Sequence, residues 1–227
     1  MSGGAHAGRE IVVGRNSKVW SALARDAAIA GRFTHALSHR ELRDFTFEPA
    51  DRVWVFAYSR DPEQNRAMLA LLERAGVAAV VYVSSASTIV ERVTRCYEYP
   101  RVKALAEAEA RVRLQAFVLT LGLVHEAADE LPAGLNAATS MESLRRFMLQ
   151  PEWDEGDGRT RLLFEPRPRP FGGGLESVAY RVYGVLQRAC GTWPCALRPL
   201  DYLLRACGWR WYGYIHLSNH LWYSTRS

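Results

Sequence analysis

Apolar residues in this chain fall into short continuous runs, separated by stretches whose apolar positions recur at helical spacing. Glu10-Ile11-Val12-Val13 is one run and ends at Gly14; Arg52-Val53-Trp54-Val55-Phe56-Ala57 and Val77 to Val83 are longer ones. Thr34 to Leu37 and Gln115 to Val124 read as two further strands. Runs that are apolar throughout, rather than alternating, belong to strands covered on both faces. Between them, Val19 to Ala30 carries Val19, Leu23 and Ala27 at helical spacing, and Pro100 to Leu114 reads as a long helix. Asp61 to Ala75 opens on Asp-Pro, places Met68, Leu69, Leu71 and Leu72 on its buried side, and stops at Gly76 as a helix should. Strand and helix alternate through about residue 126, which predicts an α/β fold with a doubly wound parallel sheet.

The remainder changes character. Pro166 to Gly174 reads as a loop, Leu175 to Ala189 as a helix, and Trp209, Trp211, Tyr212, Tyr214, Trp222 and Tyr223 make an aromatic-rich tail. The expected organisation is a flexible N-terminus (1–9), a nucleotide-binding core (10–126) and a C-terminal substrate region packed on that core (127–227).

Composition changes this picture little. Of 227 residues, 48% are hydrophobic and 23% charged, as in ordinary globular proteins. No stretch reaches the roughly 20 apolar residues of a membrane span, and Met1 to Gly8 lacks an apolar signal region, so a cytoplasmic address without a membrane partner is expected. The net charge of +5 comes from arginines spread along the chain rather than from one basic block, which favours an anionic-ligand pocket over nucleic acid. Cys96, Cys190, Cys195 and Cys207 show no Cys-x-x-Cys spacing and are read as reduced thiols, not a zinc site. His216 and His220 stand four apart, a metal-ligand spacing on a helix, but their flanks read as a strand or packed tail, so no metal is expected.

Lysine carries more information. Arginine occurs 27 times and lysine twice, at Lys18 and Lys103. Lys18 lies in the loop between the first strand and the first helix, where backbone N–H groups can hold a pyrophosphate. Lys103 follows Tyr99 by four residues, so on a helix the two share a face. An ammonium there stabilises tyrosinate and draws the phenol down from about 10 toward a useful acid/base range. The alternative is an exposed Tyr and Lys with no shared role.

The order strand, glycine loop and helix, then Val81-Tyr82-Val83-Ser84-Ser85-Ala86-Ser87, then Tyr99-x-x-x-Lys103 resembles the short-chain dehydrogenase/reductase superfamily. It looks closest to the extended branch of nucleotide-sugar epimerases, dehydratases and reductases, and Leu37-Ser38-His39-Arg40-Glu41-Leu42-Arg43-Asp44 is similar to the dTDP-4-dehydrorhamnose reductase group. The resemblance implies a Rossmann-type fold, with Tyr99 as proton donor or acceptor. Lys103 would tune Tyr99 and hold the nicotinamide ribose; Ser85, with Ser84 as fallback, would polarise the substrate. It places the cofactor on Gly14, Arg15, Asn16, Ser17, Lys18, Val19, Arg40 and Ala57. With Ser38-His39-Arg40 and no acidic residue after the second strand, NADP is favoured over NAD.

The implied partner is a small-molecule substrate such as a nucleotide sugar, with a homodimer expected through the Tyr99–Leu114 helix. The family's Gly-x-x-Gly-x-x-Gly appears as Gly14-Arg15-Asn16-Ser17-Lys18-Val19-Trp20. Trp20 stands where a glycine normally lets helix and strand pack closely, which implies a displaced helix, an altered cofactor pose or no cofactor. Three function classes follow: an NADP-dependent oxidoreductase or epimerase, a non-catalytic member that binds a nucleotide or a partner protein, and a cofactor-independent isomerase or lyase.

Overall fold

In the computed structural model, residues 8–150, 160–189 and 194–224 are described. Residues 1–7 of the expected flexible terminus and Cys190 lie outside them. Two compact units are interleaved along the chain: residues 1–84, 105–120 and 142–162 form the first, and 85–104, 121–141 and 163–227 the second. The expected division at residue 126 is therefore crossed in both directions, by residues 85–104 and by residues 142–162.

The first unit is organised by a six-stranded sheet. Its strands are β1 (Glu10–Val13), β2 (His35–Leu37), β3 (Arg52–Val55), β4 (Ala79–Ser85), β5 (Phe117–Leu121) and β8 (Thr160–Leu163), in the order β2-β1-β3-β4-β5-β8. β2, β1, β3 and β4 pair in parallel, with Val12 opposite Ala36 and Trp54, and Trp54 opposite Val81. Strand order reverses between β1 and β3, the place where open α/β sheets bind ligands at the strands' carboxyl ends. Ile11, Val13, Val53, Val55, Val80, Tyr82 and Val118 are buried with Met68, Leu69 and Leu72 of α3 (Pro62–Ala75), and α5 (Met141–Leu149) sets Phe147 edge-on to Trp54 at 6.3 Å. Asp61 caps α3 through the Glu63 N–H, and Gly76, at φ 62°, ends it in the left-handed conformation.

The helix expected from Val19 to Ala30 is two helices, α1 (Lys18–Leu23) and α2 (Ala27–Arg32). Asp26 breaks it, because its carboxylate accepts from the Ala28 and Ile29 N–H groups and so nucleates a new N-terminus. Trp20 points into the core, 4% exposed, edge-on to Phe33 at 5.1 Å and tilted against Phe56 at 5.9 Å. Arg9, expected to be flexible, is instead fixed: its guanidinium makes two hydrogen bonds, of 2.9 and 2.7 Å, to the buried Asp51 carboxylate.

The second unit contains a three-stranded sheet, β6 (Leu123–His125), β7 (Gly134–Ser140) and β9 (Glu165–Arg169), in the order β6-β7-β9. The strand expected over Gln115 to Val124 is thus two strands in different sheets, parted at Gly122. A Cβ at Gly122 would stand 2.2 Å from the Ala137 carbonyl oxygen, so only glycine fits there. The expected loop at Pro166 holds β9, antiparallel to β7 and at the edge of its sheet, where proline's missing N–H costs no ladder bond. The end of the aromatic tail is a helix, α8 (Gly213–Ser224), which carries Tyr214, Trp222 and Tyr223, and His216 and His220 lie on it rather than on a strand.

α6 (Gly174–Ala189) and α7 (Pro194–Ala206) complete this unit, with Tyr180, Tyr183, Leu204 and Trp211 as their shared core. His216 is fully buried among Tyr180, Tyr183, Trp211 and His220, its Nδ1 2.7 Å from Gln187 Oε1. Burial, with His220 and Arg188 adding to it, holds His216 down to about 3, so it is neutral when folded.

Two outcomes follow from this packing. Trp20→Gly, which places there the third glycine of the Gly-x-x-Gly-x-x-Gly pattern that the loop resembles, should cost about 3–5 kcal/mol in denaturant unfolding, because it empties an indole-sized site. A neutral cost would show that the indole is not a core residue. His216 lies below its unfolded value near 6.5, so acid favours the unfolded chain. The His216 contribution should fall with a slope that steepens toward about 1.4 kcal/mol per pH unit as pH drops from 6.5 to 5, and His216→Gln should flatten that slope. Thermal melts of both proteins across that range would detect a slope that is unchanged.

Candidate active site

β4 carries buried Val81, Tyr82, Val83 and Ser84 to the end of the sheet and delivers Ser85 where the backbone turns into a 3-10 helix over Ala86–Arg92. The Ser85 hydroxyl accepts from the Ser87 N–H at 3.2 Å, stands 2.9 Å from the Ser87 hydroxyl and hydrogen-bonds Tyr99. The fallback, Ser84, is committed elsewhere: its hydroxyl donates to Glu107 at 2.6 Å. The geometry thus gives Ser85, not Ser84, to the phenol.

Tyr99 lies in the first turn of α4 (Glu98–Leu114), where Pro100 is tolerated because a first-turn N–H has no helical partner. Along α4, Tyr99, Lys103, Ala106 and Ala110 follow one face, and Lys103 is only 4% exposed. A lysine buried in line with alanines is costly unless a paired or liganded ammonium is required there. Burial pushes the Tyr99 phenol above its ordinary value, and the Ser85 hydrogen bond works against it. The expected lowering of Tyr99 by Lys103 is therefore not what the protein alone produces; it presents a neutral phenol.

Residues of the aromatic tail, together with Tyr97, Asp201 and Arg210, complete this cluster. Tyr214 of α8 stacks on Tyr99, with ring centroids 5.4 Å apart and planes at 27°. It also lines a cleft of about 400 Å³ with Tyr97, Asp201, Arg210 and Tyr212. Tyr183 donates a hydrogen bond to Asp201 and accepts one from the Gly213 N–H at 2.8 Å. Burial, then the nearby Asp201 charge, push Tyr97 up to about 12, and burial raises Asp201 against its hydrogen bonds from Tyr183, Tyr97 and Gly213. From α8, Ser218 Oγ and Trp222 Nε1 both donate to the Ala86 carbonyl, at 2.9 and 2.7 Å. Asp201, Tyr214, Ser218 and Trp222 lie more than 100 positions from Ser85, so nothing near the serine in the chain points to them.

The predicted cofactor residues lie in the first unit. Gly14 has φ 113°, and a Cβ on it would stand 2.5 Å from the Ala57 nitrogen, so β1 and β3 approach too closely there for any other residue. The Gly14 and Arg15 N–H groups both donate to the Leu37 carbonyl, and the Ser17 N–H donates to the Gly14 carbonyl, which folds the loop back tightly. Ser17 precedes α1 without a side-chain cap; Asn16 and Lys18 are exposed, Val19 is half-buried and Ala57 is buried.

Arg40 is exposed, and Arg15 pairs with Glu41 at 3.1 Å. Glu41 also accepts from the Ser38 N–H at 2.7 Å; that bond first, then Arg15, hold its carboxyl below the usual range. The expectation of no acidic group after the second strand is thus corrected: Glu41, three residues past Ser38, bonds back to the strand's end. Among the described residues no group of three or more His, Cys, Asp and Glu side chains is placed to hold a metal.

No family model matches the chain, and no curated protein matches it in sequence. Solved structures do match. A short-chain dehydrogenase/reductase superfamily protein from Agrobacterium tumefaciens with bound NAD aligns at a TM-score of 0.56 and 15% identity, over 75% of this chain and 82% of that one. An NAD-dependent NDP-hexosamine 5,6-dehydratase involved in tunicamycin biosynthesis aligns at 0.53 and 14%, over 70% and 77%. UDP-glucose 4-epimerase from Thermotoga maritima, with UDP-glucose, aligns at 0.50 and 12%, over 70% and 78%. These identities speak to architecture, and on that ground the chain has the Rossmann-type fold of the short-chain dehydrogenase/reductases.

Proposed function

We propose that this protein is a nicotinamide-dependent oxidoreductase or epimerase acting on a hydroxyl or carbonyl of a nucleotide-linked sugar. The observation that carries the reading is the Ser85–Tyr99 hydrogen bond, with Lys103 buried one helical turn after Tyr99. A neutral phenol with a serine hydroxyl on it is a proton donor aimed at a reacting oxygen, and the same pair takes the proton back in the reverse direction. Ser85 would hydrogen-bond that oxygen as charge develops on it. Lys103 would stabilise the phenolate while the proton is away. Tyr214, Tyr212 and Tyr97 offer ring faces for a sugar or a base, and Arg210 offers a bidentate partner for a phosphate.

The residues of the β1–α1 loop fit a dinucleotide in chemistry: a tight Gly14 turn, a first helical turn without a side-chain cap, and cationic Arg15, Lys18 and Arg40. A bound nicotinamide would supply the hydride acceptor or donor. Trp20, turned into the core, does not stand against this. Glu41 is already paired with Arg15, which leaves Lys18 and Arg40 as two cations that favour the 2′-phosphate of NADP. A second reading, a non-catalytic nucleotide or partner-binding member of the fold, rests on the missing second and third glycines of the loop.

A panel of UDP- and dTDP-sugars assayed with NADPH, NADH and their oxidised forms separates the two readings. Turnover is expected with at least one sugar. Tyr99→Phe should lower kcat by about 10²–10⁴-fold, and Ser85→Ala by a smaller factor, with the fold intact by circular dichroism. Dinucleotide binding without turnover of any sugar would favour the second reading.

A further inference from the structure

α6 is built inside out. Its core side carries Glu176, Tyr180, Tyr183, Gly184 and Gln187, held by hydrogen bonds such as Trp211 Nε1 to Glu176 at 2.8 Å and Gln187 Nε2 to the Gly213 carbonyl at 2.8 Å. Its outward side carries Leu175, Val178, Val182 and Val185, spaced three, four and three residues apart, with Leu186 beside them. Leu175 is 78% exposed, and all five stand in solvent. An apolar stripe at that spacing is the seam of a helix that has something to lie against. α7, which packs on α6 through the Tyr180, Tyr183 and Leu204 cluster, adds exposed Tyr202 (76%) and Leu203.

The charges around this face have one sign. Through Glu176 the chain carries 23 basic and 23 acidic residues; beyond it come six arginines and a single acid, Asp201. Arginines are spread along the chain, as the sequence shows, but the acids that balance them stop where α6 begins. Asp201 is bound by Tyr183, whereas Arg181, Arg188, Arg198 and Arg205 of α6 and α7 are exposed. A second copy of the chain would set this cationic rim against itself. An anionic surface complements it.

We propose that α6 and α7 dock the protein on an anionic lipid surface, with the Leu175–Leu186 stripe, Tyr202 and Leu203 in the acyl boundary and the arginines on headgroup phosphates. At 1.5 Å per residue α6 is roughly 24 Å long, and among the described residues no helix is long and apolar enough to cross a membrane, so α6 lies in the plane of the interface. Each exposed arginine near such a surface contributes about fivefold in binding. The expectation of no membrane partner rests on the lack of a spanning run, whereas these apolar positions are spread at helical spacing and form no such run.

Sedimentation of the full chain with vesicles tests this, comparing pure phosphatidylcholine with phosphatidylcholine containing about 30 mol % phosphatidylglycerol. Binding to the anionic vesicles should exceed binding to the neutral ones by at least about tenfold and weaken with added salt. Val182→Asp should reduce it about tenfold or more, and Arg181→Gln with Arg188→Gln about 25-fold, with unchanged melting temperatures because these side chains are exposed. If Val182→Asp does not fold, the arginine pair carries the test. Equal binding to both vesicles, no binding, or variants that bind like the native chain would overturn the proposal. So would a dimer in light scattering that Val182→Asp splits, which would make this face a self-association surface.

Discussion

The carbonyl of Ala86 accepts hydrogen bonds from Ser218 and Trp222, and the placement of the candidate catalytic serine depends on that pair of contacts. β4 ends at Ser85, and these two bonds tie the first residue of the 3-10 helix that follows to a helix distant in the chain. The two donors stand four residues apart on α8, so one helix face supplies both. The same helix ties itself to β7, where the Ala137 N–H donates to Asn219 and the Tyr223 hydroxyl donates to the Asn136 carbonyl. A neighbouring residue of α8, Tyr214, stacks on Tyr99. The last helix of the chain therefore positions both partners of a hydrogen bond formed more than 100 residues earlier.

The second unit has a polar interior to match. Tyr183, Gln187, Asp201, His216 and the Gly213 backbone share one hydrogen-bonded network, and every member of it is buried or half-buried. Networks of this kind fix one arrangement well, because each broken bond leaves a desolvated group behind. This one also accounts for the inversion of α6. Once tyrosine, glutamine and glutamate occupy the inner face, the leucine and valine stripe has only the outer face left.

How far the sequence could be read follows from range. The valine-rich strands, Asp61 as a cap and Gly76 as a stop are local decisions, and each element formed near its expected place. The helix expected over Val19 to Ala30 is two helices because the Asp26 cap outweighs an uninterrupted apolar spacing. The strand expected through Gly122 is parted by a backbone contact with Ala137, and β9 forms where a loop is expected because edge position makes Pro166 and Pro168 harmless. Tyr99 and Lys103 were legible from spacing on one helix. Tyr214, Asp201 and the Trp222 tie were not, since only tertiary folding brings them to Tyr99, Tyr97 and Ala86. Glu41 was overlooked because it bonds back to Ser38 from a turn rather than standing at the strand's end.

The central claim is that a dinucleotide is held by the Gly14 loop despite its lost glycines and buried Trp20. Titrating the intact protein with NADPH and NADH, followed by nicotinamide fluorescence, tests it most directly. The account predicts dissociation constants of order micromolar for NADPH, weaker binding of NADH, and about tenfold loss for NADPH in Arg40→Ala, the size expected for one charge-assisted phosphate contact. Absence of binding for both cofactors, in a protein that melts cooperatively, would contradict the claim and leave the Ser85–Tyr99 pair without a hydride partner.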